Sequence, residues 1–185
     1  MTMILGVDPG MIRTGLALLE IRGHRPRLVW WGEAKGPVGT SNDFPRAVAG
    51  ANRIADEVFK RFALSVTDAV VVESFTDQGG QRRARTRGSW LAPMVCQAIY
   101  DRFRAERQDG RIHWQPNEPA LSMRKGTGQF VDAARFGRLA GGLLQPRGEC
   151  IEGKYPGSLP EHAADAFGHA LYFHDQGGRL GAMMR

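Results

Sequence analysis

The stretch Ile4–Gly10 (ILGVDPG), followed by Thr14–Leu19 (TGLALL), decides the fold. An apolar run brings one carboxylate, Asp8, to the end of a strand. Pro9 and Gly10 then end that strand, because proline has no N–H to donate and glycine tolerates a turn. A second apolar run follows at once, which predicts a β-hairpin. A buried carboxylate needs a partner, often a metal ion. The alternative is a solvated acid in an Asp-Pro-Gly turn.

Two later segments bring further polar residues to element ends. Ala69–Phe75 (AVVVESF) is valine-rich, as is typical of a strand buried on both faces, and it delivers Glu73. Pro160–Leu171 (PEHAADAFGHAL) has helical character and enough alanine to pack closely on a sheet. Because residues three apart share a helix face, His162 and Asp165 point the same way.

Each polar residue of the last segment has two interpretations. His162 and Asp165 are metal ligands, or they are a helix N-terminal acid beside a half-buried histidine. His169 is a further ligand or a hydrogen-bond donor to a ligand, or it is an ordinary helix-face residue.

These blocks, in this order, resemble the RuvC-type Holliday-junction resolvases of the ribonuclease H-like superfamily. The resemblance rests on Gly6–Gly10 with Thr14-Gly15, on Val70–Glu73 and on His162–Ala166. It implies a metal-dependent nuclease in which Asp8, Glu73 and Asp165 fall on the family's metal-binding acids. His162 falls on the family's fourth position, which is aspartate in many members and histidine in some.

Phosphodiester cleavage explains why such acids are needed. The reaction requires an activated water and neutralised charge on the attacking and leaving oxygens, which two divalent ions roughly 4 Å apart supply. Mg²⁺ prefers oxygen ligands, so we expect Asp8 to bridge two ions and Glu73 and Asp165 to flank them. We expect His162 to ligate metal or to orient the water, and Mn²⁺ to substitute, because imidazole is softer than carboxylate.

Basic and aromatic residues near these acids predict contact with DNA. The run Gln81–Arg87 follows Glu73, and arginine binds phosphate through bidentate forks; the alternative is a solvated face. Phe75 is a wedge at a branch point or a core residue, and Trp90 stacks on a base or anchors a helix. A second basic loop, Ser122–Gln129, resembles the family's Gly-x-Gly turn and favours phosphate binding. The candidate DNA-binding residues are Phe75, Arg82, Arg83, Arg85, Arg87, Arg124 and Lys125.

Length and composition narrow the class of protein to which this chain can belong. The chain has 185 residues, which predicts a single nuclease domain over 1–185. A net charge of +6 favours a polyanionic partner. No apolar stretch is long enough to span a membrane, and no secretory leader is evident. Isolated Cys96 and Cys150 favour a reducing compartment, so we expect the cytoplasm of a bacterial or phage-infected cell.

The predicted element order is that of an α/β, ribonuclease H-like fold. Three antiparallel strands are followed by parallel crossovers, giving a mixed five-stranded sheet flanked by helices. The predicted strands are Met3–Asp8, Thr14–Glu20, Arg27–Glu33, the strand ending at Glu73, and Ile112–Gln115. The predicted helices are Asp43–Phe62, Trp90–Arg107, Gln129–Leu144 and one starting near Pro160, with loops over Thr76–Ser89 and Pro116–Gly128.

The functional hypothesis is a Mg²⁺-dependent endodeoxyribonuclease that makes paired nicks in four-way or related branched DNA. A homodimer is implied by the family, since symmetric cuts need two sites, and Trp90–Arg107 is a candidate interface. Three alternatives stay open: a ribonuclease H-like nuclease acting on hybrids, flaps or forks; a catalytically silent branched-DNA-binding module; and a sugar-kinase or actin-like ATPase domain. Cleavage preference, cellular or viral origin and any branch-migration motor partner are left open.

Overall fold

The computed structural model describes residues 1–22, 25–36, 43–74, 91–116, 124–125, 129–130, 162–163, 165–170 and 173–174. For residues 25–26, 116, 124–125 and 129–130 only the backbone is described. The predicted loop 76–89 and most of the predicted helix 129–144 lie outside these ranges. A single domain over residues 1–185 stays a prediction.

A mixed five-stranded sheet forms the centre of the molecule. Its strands are β1 (Thr2–Asp8), β2 (Arg13–Arg22), β3 (Arg25–Lys35), β4 (Ala69–Ser74) and β5 (Ile112–Pro116). Their order across the sheet is β3-β2-β1-β4-β5. The pairs β1–β2 and β2–β3 are antiparallel, whereas β1–β4 and β4–β5 are parallel. The predicted antiparallel meander followed by parallel crossovers is therefore confirmed.

The turn between β1 and β2 is closed by a side chain. The Thr14 hydroxyl donates to the Gly10 carbonyl oxygen at 2.7 Å and accepts from the Gly10 N–H at 3.1 Å. These bonds satisfy backbone groups that Pro9 and the turn remove from the ladder. The hairpin predicted from this stretch is present, and Asp8 is the last residue of β1.

Two helices cover one face of the sheet. Helix α1 (Phe44–Leu64) begins after Asp43, whose side chain accepts from the Arg46 N–H as an N-cap. Helix α2 (Leu91–Ala105) packs beside it. The core between these helices and the sheet consists of large aliphatic and aromatic side chains, among them Leu5, Val7, Ile54, Phe62, Val70, Ile99 and Phe103.

The other face carries a second, smaller core. Residues 162–163 and 165–170 are helical, and we call them the C-terminal helical segment. Ala166, Phe167 and Ala170 of this segment pack against Ile4 and Val71 of the sheet. Within the described ranges, no helix is both long and apolar enough to cross a membrane.

Two element predictions need correction. The third strand runs further at both ends than Arg27–Glu33, because an edge strand accommodates Pro26. The predicted loop Pro116–Gly128 and the predicted helix that follows it contain two paired strands: β6 (Arg124–Lys125) lies in the predicted loop, and β7 (Gln129–Phe130) stands where the helix was predicted to begin. The Lys125–Gln129 pairing leaves a glycine-containing three-residue connection, which favours a hairpin over the weak helical pattern that follows.

Candidate active site

Glycines in the sheet determine where the C-terminal helical segment lies. A Cβ atom on Gly6 would overlap the carbonyl oxygen of Ala166, and one on Gly15 would overlap that of His162. On the helix side, Ala163 is completely buried. Small residues on both surfaces thus allow the helix backbone to rest on β1 and β2, as the alanine content predicts. This close approach brings the polar residues of the segment to the end of β1.

Three acids share this end of the sheet. Asp8 and Glu73 follow Val7 and Val72, which are paired in the parallel β1–β4 ladder, so the two acids lie at neighbouring carboxyl ends. Asp165 comes from the segment above them. Asp8 is 8% exposed, Glu73 5% and Asp165 5%. Three acids at this degree of burial require compensating partners.

Two histidines of the segment contact these acids. His162 Nδ1 lies 2.7 Å from Asp8 Oδ2, a hydrogen-bond distance. His169 Nε2 lies 3.3 Å from Glu73 Oε2, although neither ring nitrogen of His169 makes a hydrogen bond to any described residue. The His162 side chain is 41% exposed and that of His169 is completely buried. The two histidines therefore differ in access to solvent.

The electrostatics of the site are set by burial and by like charges. The pKa of Asp8 is raised to about 7, chiefly by burial. The hydrogen bond from His162 lowers it, whereas a hydrogen bond with Glu73 and the charges of Glu73 and Asp165 contribute to the rise. Burial, with the charges of Glu73 and Asp8, also raises the pKa of the Cys96 thiol to about 12. A cluster that holds protons so strongly favours a compensating positive charge.

The donor set fits a hard divalent cation. Three carboxylates supply the oxygen ligands that Mg²⁺ prefers, and the mutual repulsion felt by Asp8 is what a cation relieves. Within the described ranges, however, no three His, Cys, Asp or Glu side chains are arranged as a ready ion site. Direct contacts occupy some of the relevant donors, since Asp8 faces His162 and Glu73 faces His169.

Two residues at this site were undervalued by sequence reasoning. Gln115 pairs in register with Glu73 and is 6% exposed, yet no role was predicted for it. His169 is buried against Glu73 rather than lying on an ordinary helix face. The available signal was positional, because Gln115 ends the predicted strand next to Glu73 and His169 lies one helical turn after Asp165.

The structure does not test the predicted DNA-binding residues. Phe75, Arg82, Arg83, Arg85 and Arg87, like Trp90, lie outside the described residues. Arg124 and Lys125 are described only as backbone of β6. Their contact with DNA stays a prediction.

Solved structures provide the comparison. Thermus thermophilus RuvC in complex with Holliday junction substrate aligns with a TM-score of 0.68 and 18% identity, over 98% of this chain and 97% of that one. The yeast mitochondrial Holliday junction resolvase Ydc2 aligns with a TM-score of 0.67 and 13% identity, over 97% of this chain and 80% of that one. Fowlpox virus resolvase, in complex with substrate Holliday junction DNA, aligns with a TM-score of 0.57 and 10% identity, over 94% of this chain and 99% of that one.

The chain has the RuvC fold. No protein-family model matches the sequence, and no curated protein matches it. The resemblance drawn from the sequence motifs is thus confirmed at the level of the fold, across nearly the whole chain. Within the RuvC fold, the carboxyl ends of β1 and β4 and the C-terminal helical segment bring Asp8, Glu73, His162 and Asp165 together.

Proposed function

We propose that the protein is a metal-dependent endonuclease that nicks four-way or related branched DNA. The observation that carries the proposal is the convergence of three buried acids on one end of a sheet with the RuvC fold. Resolvases of Holliday junctions are among the proteins that share this fold. The net charge of +6 supports a polyanionic substrate.

Asp8, Glu73, Asp165 and His162 are the proposed metal-binding residues. Two Mg²⁺ ions, when bound, would supply an activated water and neutralise charge on the attacking and leaving oxygens. Asp8 would be the central ligand of the site, because it contacts His162 at 2.7 Å and Glu73 across the strand pair. Glu73 and Asp165 flank it, and their burial keeps bulk water from screening their charge.

His162 has a distinct proposed role. It presents Nδ1 to Asp8 while its side chain is 41% exposed, so it is the proposed metal-binding side chain most open to solvent. An imidazole in this position suits Mn²⁺ better than Mg²⁺, because it is a softer ligand than carboxylate, so Mn²⁺ is expected to replace Mg²⁺. When protonated, it can neither ligate nor accept a proton.

Binding and symmetry complete the proposal. Arg82, Arg83, Arg85 and Arg87 bind phosphates, with Arg124 and Lys125 in a second contact, and Phe75 acts as the wedge at the branch point. Paired nicks require two sites related by a two-fold axis, so the active form is a homodimer.

The decisive test is cleavage of synthetic DNA of matched sequence. Four-way junction, duplex, RNA–DNA hybrid and flap are each end-labelled and incubated with Mg²⁺, Mn²⁺ or EDTA. We expect symmetric nicks in the junction, weak or absent cutting of the duplex, and none in EDTA. Preference for hybrid or flap would select another ribonuclease H-like activity, binding without metal-dependent cutting would select a silent binding module, and nucleotide-dependent heat stabilisation would favour an ATPase domain.

A further inference from the structure

Two buried polar side chains beside the acids are left unused by the proposed function. Gln115 is 6% exposed and His169 is completely buried. Within the part of the chain that the structure describes, neither the carboxamide atoms of Gln115 nor the ring nitrogens of His169 have a hydrogen-bond partner. Buried polar groups in folded proteins are nearly always paired, so unpaired atoms in neighbouring residues require an explanation.

Both residues neighbour Glu73, and they do so from different elements. Gln115 is its register partner on β5, and His169 Nε2 lies 3.3 Å from Glu73 Oε2. All three lie on the face covered by the C-terminal helical segment. Val71, two residues before Glu73, belongs to that face's core, and the ring of His113, two before Gln115, lies 4.6 Å from that of Phe173.

We infer that Gln115 and His169 are positioning residues that hold the Glu73 carboxylate in its metal-binding orientation. The inference rests on the proposed function. Carboxylates that ligate metals are themselves held by hydrogen-bonding partners, and losing such a partner weakens metal binding. His169 supplies an N–H at Nε2, and the Gln115 carboxamide supplies a donor to the carboxylate and an acceptor to water in the site.

If His169 only filled volume in the core, leucine would be the more stable choice at this position. Leucine fills about the same volume as histidine without leaving unpaired polar atoms in the core, so packing alone would favour it. A histidine at this position therefore costs stability relative to leucine, which is expected when a side chain serves the site rather than the core.

The test compares three variants of the full chain: His169→Gln, His169→Asn and His169→Leu. The glutamine amide reaches the position of Nε2, whereas the asparagine amide reaches only that of Nδ1. Three quantities are measured for each variant: the Mn²⁺ affinity by calorimetry, the melting temperature in EDTA, and the rate at which the four-way junction is nicked. We expect leucine and asparagine to weaken Mn²⁺ binding about 10- to 100-fold and glutamine to restore most of it. We also expect leucine to raise the melting temperature without metal.

Gln115→Leu tests the second residue, and Thr67→Val is the matched control. Thr67 is also buried, and its side-chain oxygen also has no partner among the described residues, but it lies just before β4, at the opposite end of that strand from Glu73. Both variants should raise the melting temperature in EDTA, but only Gln115→Leu should weaken Mn²⁺ binding.

The outcomes separate this inference from the proposed function. If wild type binds Mn²⁺ and cuts the junction while His169→Leu and Gln115→Leu match it in both, the inference is overturned and the proposed function stands. Equal Mn²⁺ affinity of His169→Gln and His169→Asn would overturn the role of Nε2, even if the leucine variant failed to fold. If wild type neither binds Mn²⁺ nor cuts, both are overturned.

Discussion

The two faces of the central sheet are covered in different ways, although they share the same strands. On the face of α1 and α2, Phe103 packs against Phe59 and Phe62 with ring centroids 5.0 and 4.9 Å apart. On the opposite face, Gly6 allows the backbone of the C-terminal helical segment to approach the sheet at Ala166. We call these the apolar face and the acidic face.

Alternation along β1 produces the difference. Leu5 and Val7 point to the apolar face, whereas Gly6 and Asp8 point to the acidic face. The apolar face buries large side chains, which stabilises the fold. The acidic face has a smaller apolar core, and at the carboxyl ends of β1 and β4 polar groups from three elements meet. Adjacent residues of β1, Val7 and Asp8, thus belong to the large apolar core and to the proposed metal site.

The largest expected effect follows from removing an acid. Asp8→Asn, Glu73→Gln and Asp165→Asn should each lower junction cleavage roughly a thousandfold or more, because the acids act as one unit. Junction binding should be retained, since these variants remove negative charge beside phosphate. Single-turnover nicking in Mg²⁺ and gel-shift affinity in EDTA measure the two effects. Asp56→Asn on α1, a carboxylate 66% exposed, is the control and should change neither. A near-wild-type cleavage rate would remove that acid from the site.

The contrast between the faces can be broken by one substitution on each. Phe103→Ala should destabilise the protein by about 3–5 kcal/mol but leave the Mn²⁺ affinity of the folded protein unchanged. Gly6→Ala should cost about 1–3 kcal/mol through overpacking and should also weaken Mn²⁺ binding, because the C-terminal helical segment must move away. Urea unfolding and Mn²⁺ calorimetry give both quantities. Unchanged Mn²⁺ affinity in Gly6→Ala would show that close packing does not position the site.

The acidic face should make the metal-free protein sensitive to pH. The pKa of Asp8 is raised to about 7, so between about pH 4 and 7 the folded chain holds a proton that the unfolded chain has lost. Asp8 therefore contributes its full share to the free energy of unfolding below about pH 4. This contribution, on the order of a few kcal/mol, is lost as the pH rises to 7. The measurement is the difference in unfolding free energy between wild type and Asp8→Asn in EDTA, from pH 4.5 to 8. With saturating Mn²⁺, the stability of wild type should instead rise with pH, because metal binds the deprotonated acids. A difference between wild type and Asp8→Asn in EDTA that does not change with pH would contradict the prediction.

A smaller effect is expected from the basic run that follows β4. Alanine at Arg82, Arg83, Arg85 or Arg87 should weaken DNA binding and lower the magnitude of the slope of log K against log salt by about 0.9 for each phosphate that the variant no longer neutralises. Arg53→Ala, an exposed arginine on α1, is the control and should leave the slope unchanged. An unchanged slope in all four variants would identify the run as a solvated face.

The apolar face was predictable from sequence and much of the acidic face was not. Apolar runs and short connections fix the strand order, because a helical crossover makes β4 parallel to β1. The alanine content of the last segment indicated that its helix packs closely on the sheet, but the positions of the glycines that receive it, Gly6 and Gly15, were not predicted. The pairing of Gln115 with Glu73 depends on strand register, and the burial of His169 depends on which helix face packs on the sheet. Local periodicity in the sequence predicts neither the pairing of Gln115 nor the burial of His169. The extra length of β3 was missed because its edge position, which tolerates Pro26, is a property of the whole sheet.

The smallest predicted effect lies in the turn after α1, on the apolar face. Val66 has a φ of 48° and is 83% exposed. This left-handed conformation crowds Cβ against the following carbonyl oxygen, and exposure leaves the valine little packing to offset the strain. Val66→Gly should therefore stabilise the protein by up to about 1 kcal/mol, after the entropy that glycine loses on folding, and raise the melting temperature by roughly 2–4 °C. Arg107, with a φ of 56° after α2, offers a matched site at which Arg107→Gly should also stabilise. Calorimetric melting in EDTA measures both, and Mn²⁺ affinity should be unchanged because neither turn borders the acidic face. A lower melting temperature for Val66→Gly would mean that the valine side chain contributes more to the apolar face than its exposure indicates.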